Sequence, residues 1–148
     1  MPDLKEIIFR ILFAVLLGGL VGLERELRHR GAGLRTHILV SVGSALLMLT
    51  SLYVFDIYKD ITRVDPTRIA AGIVTGIGFL CAGTIIRYGK AVRGLTTAAS
   101  LWVTSGLGMA AGIGFYEASL TVAVTMFIVL IALRPLEKKL LGKGEEDK

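Results

Sequence analysis

The sequence predicts an all-α polytopic membrane protein: a bundle of five transmembrane helices, N-terminus outside and C-terminus cytoplasmic. Three observations predict it. Apolar residues make up 53% of the 148 positions, and they fall in long blocks rather than in the short periods of a soluble domain. Basic residues collect in alternate connections between those blocks. Gly, Ala, Ser and Thr recur at close intervals inside the blocks, as in helices that approach one another closely in lipid.

The first helix opens at Asp3-Leu4-Lys5-Glu6, which reads as a capping box, and its apolar run extends from Ile7 to Leu23. A secretory signal would carry positive charge before its core and small residues after it. Here the start is nearly neutral and ERELRHR follows, so the segment reads as a retained membrane helix. Arg10 lies near enough to the end to snorkel to the interface. Glu24 to Arg35 is a basic connection, and Gly31 and Gly33 stop the first helix within it. The second helix is expected over Thr36 to Phe55, about 20 residues and enough to cross a bilayer. Tyr53 and Tyr58 sit where an aromatic belt would lie.

The loop Asp56 to Asp65 balances its charges. Asp65 reads as an N-cap and Pro66 as the first residue of the third helix, which is expected to run from near Thr67 to Ile86. Arg87, Lys90 and Arg93 form a second basic loop. The fourth helix is expected from about Thr96 to Gly114, with Thr96 or its neighbour as cap. A tight hairpin at Phe115, Tyr116 and Glu117 leads to a fifth helix, Ala118 to Leu133. One transmembrane domain over residues 1–134 is therefore expected, then a basic and polar cytoplasmic tail, 135–148, of disordered composition. With five helices, every basic connection falls on the cytoplasmic side; an even number would misplace one.

The stretch from Arg68 to Leu107 is expected to be the centre of the bundle, with the other helices packing around it. A faint repeat runs through the chain. Gly33 opens the second helix as Gly94 opens the fourth, and at the same offset Val42, Ser44 and Leu46 fall on Val103, Ser105 and Leu107. Gly22 likewise falls on Gly83. Helices one and two would then be repeated, in the same orientation, as three and four.

Other classes are poorly served. The net charge of +5 is explained by topology, so no nucleic-acid partner is expected. One cysteine, Cys81, and two histidines, His29 and His37, give no disulfide framework and no zinc pattern. No nucleophile–base arrangement or phosphate loop is visible, so neither an enzyme nor a cofactor is expected. No helix carries a charged residue at mid-membrane, which argues against a pump or a carboxylate-lined channel. Carbonyls at Gly-rich breaks leave ion passage open as the alternative.

Small residues are the main pattern. Gly18 and Gly22 are four apart, as are Gly72 and Gly76; Gly78 and Gly83 follow. Ser100, Thr104, Gly108 and Gly112 make one row along the fourth helix. Packing within the bundle is the plain reading of these faces, and an oligomer or partner interface is the sharper one. Glu24, Arg25 and Glu26 read either as a solvated helix end or as a polar cluster with Arg35 and His37. Asp56, Asp60 and Asp65 place three carboxylates in one loop, but Lys59, Arg63 and Arg68 neutralise them and no confident metal site results. Cys81 reads as a packing residue, and Trp102, too deep for the aromatic belt, as packed in the bundle or facing lipid.

The segments GGLVGLERE, GLRTHILVSVGSAL, DPTRIAAGIVTGIGFLCAGTII and GLTTAASLWVTSGLGMAAGIG closely resemble the MgtC/SapB family of bacterial inner-membrane proteins, over nearly the whole chain to Leu133. The resemblance implies a multi-pass inner-membrane protein tied to magnesium limitation, acid stress and virulence. It implies a regulator that binds other membrane proteins, notably the proton-translocating ATP synthase, rather than a magnesium transporter; a Mg²⁺ or H⁺ transporter or channel is the alternative. By motif position it points to Glu24, Arg25, Glu26, Arg35, Thr36, Asp65, Pro66, Arg68, Gly76, Gly78, Gly83, Thr96, Thr97 and Trp102. Expected partners are the lipid bilayer, other inner-membrane proteins and a second copy in a dimer. Longer members carry a soluble C-terminal domain that is not expected here. Cys81 stands where the GIGFLGAG pattern has Gly, so slightly looser packing is expected there.

Overall fold

The computed structural model describes residues 2–89, 91–133, 135 and 139. Among these residues there are five α-helices: α1 (Leu4–Leu27), α2 (Leu34–Tyr58), α3 (Thr67–Thr84), α4 (Leu95–Ile113) and α5 (Tyr116–Phe127). A wider π-helical turn, Ile128–Ala132, continues α5. The tail expected from residue 135 onward lies outside the described residues, apart from Pro135 and Lys139.

Helices α1, α2 and α3 are each long and apolar enough to cross a membrane. The surface agrees with that. Along α1, Leu12, Leu16, Leu20 and Leu23 form an outward stripe, 45–59% exposed. The opposite face, Ala14, Leu17, Gly18, Val21, Gly22 and Arg25, is buried. An apolar stripe of this length has no reason to face water and every reason to face lipid. Helix α4 is long enough, at 19 residues, but its Ser, Thr and Gly dilute its apolar character. The reason is its position. Ten of its residues, Thr97 through Gly112, are buried, so it is solvated by protein rather than by lipid.

The centre of the bundle is the pair α2 and α4, flanked by α1 on one side and α3 on the other, with α5 against α1 and α4. This corrects the expectation that α3 and α4 form the core. Helix α3 buries only Ile73, Ile77 and Cys81, and lies at the edge. Core layers follow the same plan. Ala14, Ala45 and Ala111 meet where α1, α2 and α4 cross. Leu17, Val21, Leu107, Ala123 and Met126 join α1, α4 and α5. Ile77 and Cys81 dock α3 on Ala98 and Leu101, with the Cys81 thiol donating to the Ala98 carbonyl at 3.1 Å.

Glycine sets the closest crossings. A Cβ at Gly18 would come within 2.7 Å of the His37 carbonyl oxygen, and one at Gly22 within 2.7 Å of Leu34 Cα. At Gly112 it would come within 2.6 Å of the Ala45 carbonyl, and at Gly108 it would collide with the carbonyl of Ser41. These four glycines therefore let α1 and α4 lie directly on α2. The glycines of α3 behave differently: at Gly72, Gly76, Gly78 and Gly83 an added Cβ meets nothing within 4 Å.

The repeat has a structural counterpart. Ser44 and Ser105, 61 positions apart, hydrogen-bond to each other at 2.9 Å across the α2–α4 pair. Two positions equivalent under the repeat thus meet each other between α2 and α4. The flanks obey it less well, because Gly22 packs tightly on α2 while its counterpart Gly83 is open.

Several local expectations are revised. The second basic loop holds a two-stranded antiparallel hairpin, β1 (Ile86–Tyr88) with β2 (Ala91–Arg93), so the fold is not purely helical. Gly94, at φ +87°, turns the chain into α4 beside the Thr84 carbonyl, where a side chain would collide. No Thr side chain caps α4. Asp3 caps α1 by accepting from Glu6 N at 2.8 Å, but Glu6 points to Arg10 rather than back to Asp3. Arg10 does not snorkel outward. Its Nη1 donates to the Gly112 carbonyl at 2.8 Å, its Nε pairs with Glu6 at 2.9 Å, and Tyr116 O–H donates to the same carboxylate. The last carbonyls of α4 lack helical partners and need donors, and Arg10 supplies one to Gly112.

Candidate functional site

The N-terminal ends of α2 and α4 and the C-terminal end of α1 meet in a buried polar junction. From α1 come Glu24, 8% exposed, and Arg25, 4% exposed. From α2 come His37 and Ser41, both fully buried, and from α4 Thr97, Ser100 and Thr104, all buried. Gly18 and Gly22 bring α2 close enough to cover the end of α1, which is why charges at a helix terminus are shielded here. Of the two readings of this end, the polar cluster describes Glu24 and Arg25; Glu26 is exposed.

The contacts are specific. Arg25 Nη2 donates to Thr97 Oγ1 at 2.9 Å, tying α1 to α4. His37 bridges α2 to α4: Nδ1 lies 2.9 Å from the Gly33 carbonyl and Nε2 lies 3.1 Å from Ser100 Oγ. Ser100 Oγ is also 2.8 Å from the Thr97 carbonyl, and Thr104 donates to the Ser100 carbonyl at 2.8 Å. Glu24 pairs with Arg28 one turn on. Among the described residues, Glu24 Oε2 and Ser41 Oγ find no hydrogen-bond partner. Buried polar atoms of this kind are uncommon and costly, of order 1–3 kcal/mol each.

Other expected residues lie elsewhere. Glu26 caps α2 by accepting from Leu34 N at 2.9 Å. Arg35, Thr36 and Thr96 are exposed beside the junction, not in it. Trp102 points outward, 51% exposed. Asp65 and Arg68 are exposed at the far end of the bundle. The loop carboxylates do not converge: among the described residues no group of three acidic, His or Cys side chains could hold a metal. Asp56 instead pairs with Lys59 at 2.8 Å. Ser41 was not singled out by the sequence, since a serine in an apolar run gives no sign of whether its partner is its own helix or another.

Asp65 has a local task. It accepts from Thr67 Oγ1 at 2.6 Å and Thr67 N at 2.8 Å, and these bonds from the hydroxyl and then the backbone hold its carboxyl below the usual aspartate range. A group whose pKa is lowered on folding stabilises the fold above its unfolded pKa, and that contribution is lost as pH falls through the folded value. Asp65→Ala is therefore expected to weaken the start of α3 at neutral pH, and the difference from wild type should vanish well below about pH 4. Hydrogen exchange at the Thr67 amide, measured against pH for both proteins, reads this directly.

The MgtC family model matches residues 11–139. The chain is 44% identical over 141 residues to a protein of Escherichia coli K12 named putative magnesium transporter YhiD, covering 94% of this chain and 66% of that one. It is 44% identical over 133 residues to protein MgtC of Salmonella typhimurium, covering 90% and 54%. A Haemophilus influenzae protein is 39% identical over 143 residues, covering 93% and 59%. The chain thus spans between about half and two-thirds of the length of these relatives. No solved structure matches. On the extent of these matches, the chain belongs to the MgtC family.

Proposed function

We propose that this protein is a non-enzymatic inner-membrane regulator, linked to magnesium limitation, that acts by helix-to-helix contact with other membrane proteins. The observation that carries the reading is the open face of α3, where Gly72, Gly76 and Gly83 have no neighbour within 4 Å of a Cβ position. Lipid tails gain nothing from glycine, whereas a second helix can use it to come close. The names of its relatives, MgtC and putative magnesium transporter YhiD, support the magnesium link. The family resemblance makes the proton-translocating ATP synthase the first partner to test, and a second copy of the chain the next. In this reading the basic connections face the cytoplasm and all five helices span the bilayer.

Site-specific photo-crosslinking in native membranes tests it. A crosslinker at Gly76 should capture a membrane protein, while one at Leu16, on the leucine stripe of α1, should capture only lipid. Equal protein capture at both sites, or none at Gly76, would remove the support.

A second reading, a cation transporter, is favoured by the buried Glu24 oxygen that lacks a partner among the described residues. Magnesium or proton flux into liposomes of purified protein, abolished by Glu24→Gln, would replace the first reading with this one.

A further inference from the structure

We propose that His37 is a proton-binding site, buried where α1, α2 and α4 meet, and that its protonation reverses the donor direction of the Ser100 hydroxyl. The argument is a count of hydrogens. The Gly33 carbonyl can only accept, so Nδ1, 2.9 Å away, carries a hydrogen in either charge state of the ring. Nε2 is the variable position. It faces Ser100 Oγ at 3.1 Å, and that oxygen also faces the Thr97 carbonyl at 2.8 Å.

Ser100 has one hydroxyl hydrogen. With a neutral ring it donates to Nε2, and Thr97 O keeps only its helical partner. With a charged ring, Nε2–H donates to Ser100 Oγ, and the serine hydrogen moves to Thr97 O. Both states are fully bonded with no heavy atom displaced. A side chain buried for packing alone needs partners for one state; this one has them for two.

The surrounding charges are few. Burial disfavours a charged ring here; of the charges on α1, the Glu24 carboxylate attracts an imidazolium and the Arg25 guanidinium repels it. Arg25 is held by Thr97 and Glu24 by Arg28. Helix α4 contributes no titratable group, only Thr97, Ser100 and Thr104. The nearest one on α3 is the Cys81 thiol, bonded to the Ala98 carbonyl. On α2 itself, Ser41 lies one turn from His37 and its hydroxyl has no partner among the described residues. This assignment does not depend on what α3 binds.

Nitrogen-15 NMR of histidine-labelled protein in lipid nanodiscs tests it, with the exposed His29 as internal reference. His37 is expected to take up one proton within the pH range over which the protein stays folded, and its neutral form is expected to carry hydrogen on Nδ1. Glu24→Gln should lower the midpoint, through loss of the attracting charge. A ring that stays neutral over the whole range, or a neutral form with hydrogen on Nε2, overturns the proposal. An unchanged midpoint in Glu24→Gln overturns the charge balance drawn for it. If that variant does not fold, the wild-type titration and tautomer alone decide.

Discussion

Gly108→Ala is expected to be among the most damaging single substitutions in this protein. The added methyl would collide with the Ser41 carbonyl, which belongs to the backbone of α2 and cannot rotate away. Alanine is the better helix former by roughly 1 kcal/mol, so the exposed-helix effect alone would stabilise. Overpacking a filled core typically costs about 1–3 kcal/mol, and more when backbone must shift. The clash should win by a wide margin, because separating α2 from α4 also disturbs Ala45 against Gly112 and the Ser44–Ser105 bond. Gly76→Ala is the control. Nothing lies within 4 Å of its Cβ position, so the isolated protein should be unchanged or slightly more stable. Thermal unfolding of both variants in detergent checks the contrast: a loss at Gly108 no larger than that at Gly76 would mean that α2 and α4 are not in backbone contact.

The second large effect is expected at Thr97. Thr97→Val keeps the shape of the side chain and removes the acceptor for Arg25 Nη2. Arg25 is 4% exposed, so water cannot readily replace that bond. Removing this acceptor from a buried guanidinium should cost about 2–3 kcal/mol. The neighbouring Thr96 is exposed, and Thr96→Val should stay within about 0.5 kcal/mol of wild type. Adjacent threonines with opposite outcomes, read by chemical unfolding in mixed micelles, would confirm that the polar junction tied by Arg25 is a structural link. Equal small effects would show that Arg25 does not rely on Thr97.

Much of this architecture was legible in the sequence. The number and order of the helices follow from the length of the apolar blocks, which is a strong signal. Helix boundaries moved by only a few residues, as with α2, which begins at Leu34 rather than Thr36. The position of α3 was not legible. Gly72 and Gly76 look, residue by residue, like Gly108 and Gly112, and only the shape of the facing helix distinguishes a filled crossing from an open one. The three-residue strands around residue 90 are too short to leave an alternating pattern, so they read as loop.

The candidate site was half legible. Glu24, Arg25, His37, Thr97 and Ser100 were each singled out, on separate grounds, but their convergence depends on Gly18 and Gly22 drawing α2 over the end of α1. Arg10 shows the same limit from the other side. A charge near a helix end ordinarily reaches for water, and here it reaches instead for the last carbonyls of α4, with Tyr116 completing its carboxylate partner from 110 positions away. No local pattern encodes a contact across that separation.

The edge position of α3 has a consequence for how copies of this protein can tile a bilayer. Helix α5 rests on α1 and α4, and α3 rests on α2 and α4, so the glycine-lined flank belongs to α3. A chain of molecules needs two different complementary patches on each member, whereas a patch that meets itself across a two-fold axis is used up by one contact. Association through α3 alone would therefore end at a pair, and would neither spread into filaments nor into lattices. Once a different membrane protein occupied that flank, pairing would be excluded, so the two kinds of complex would compete for one seat.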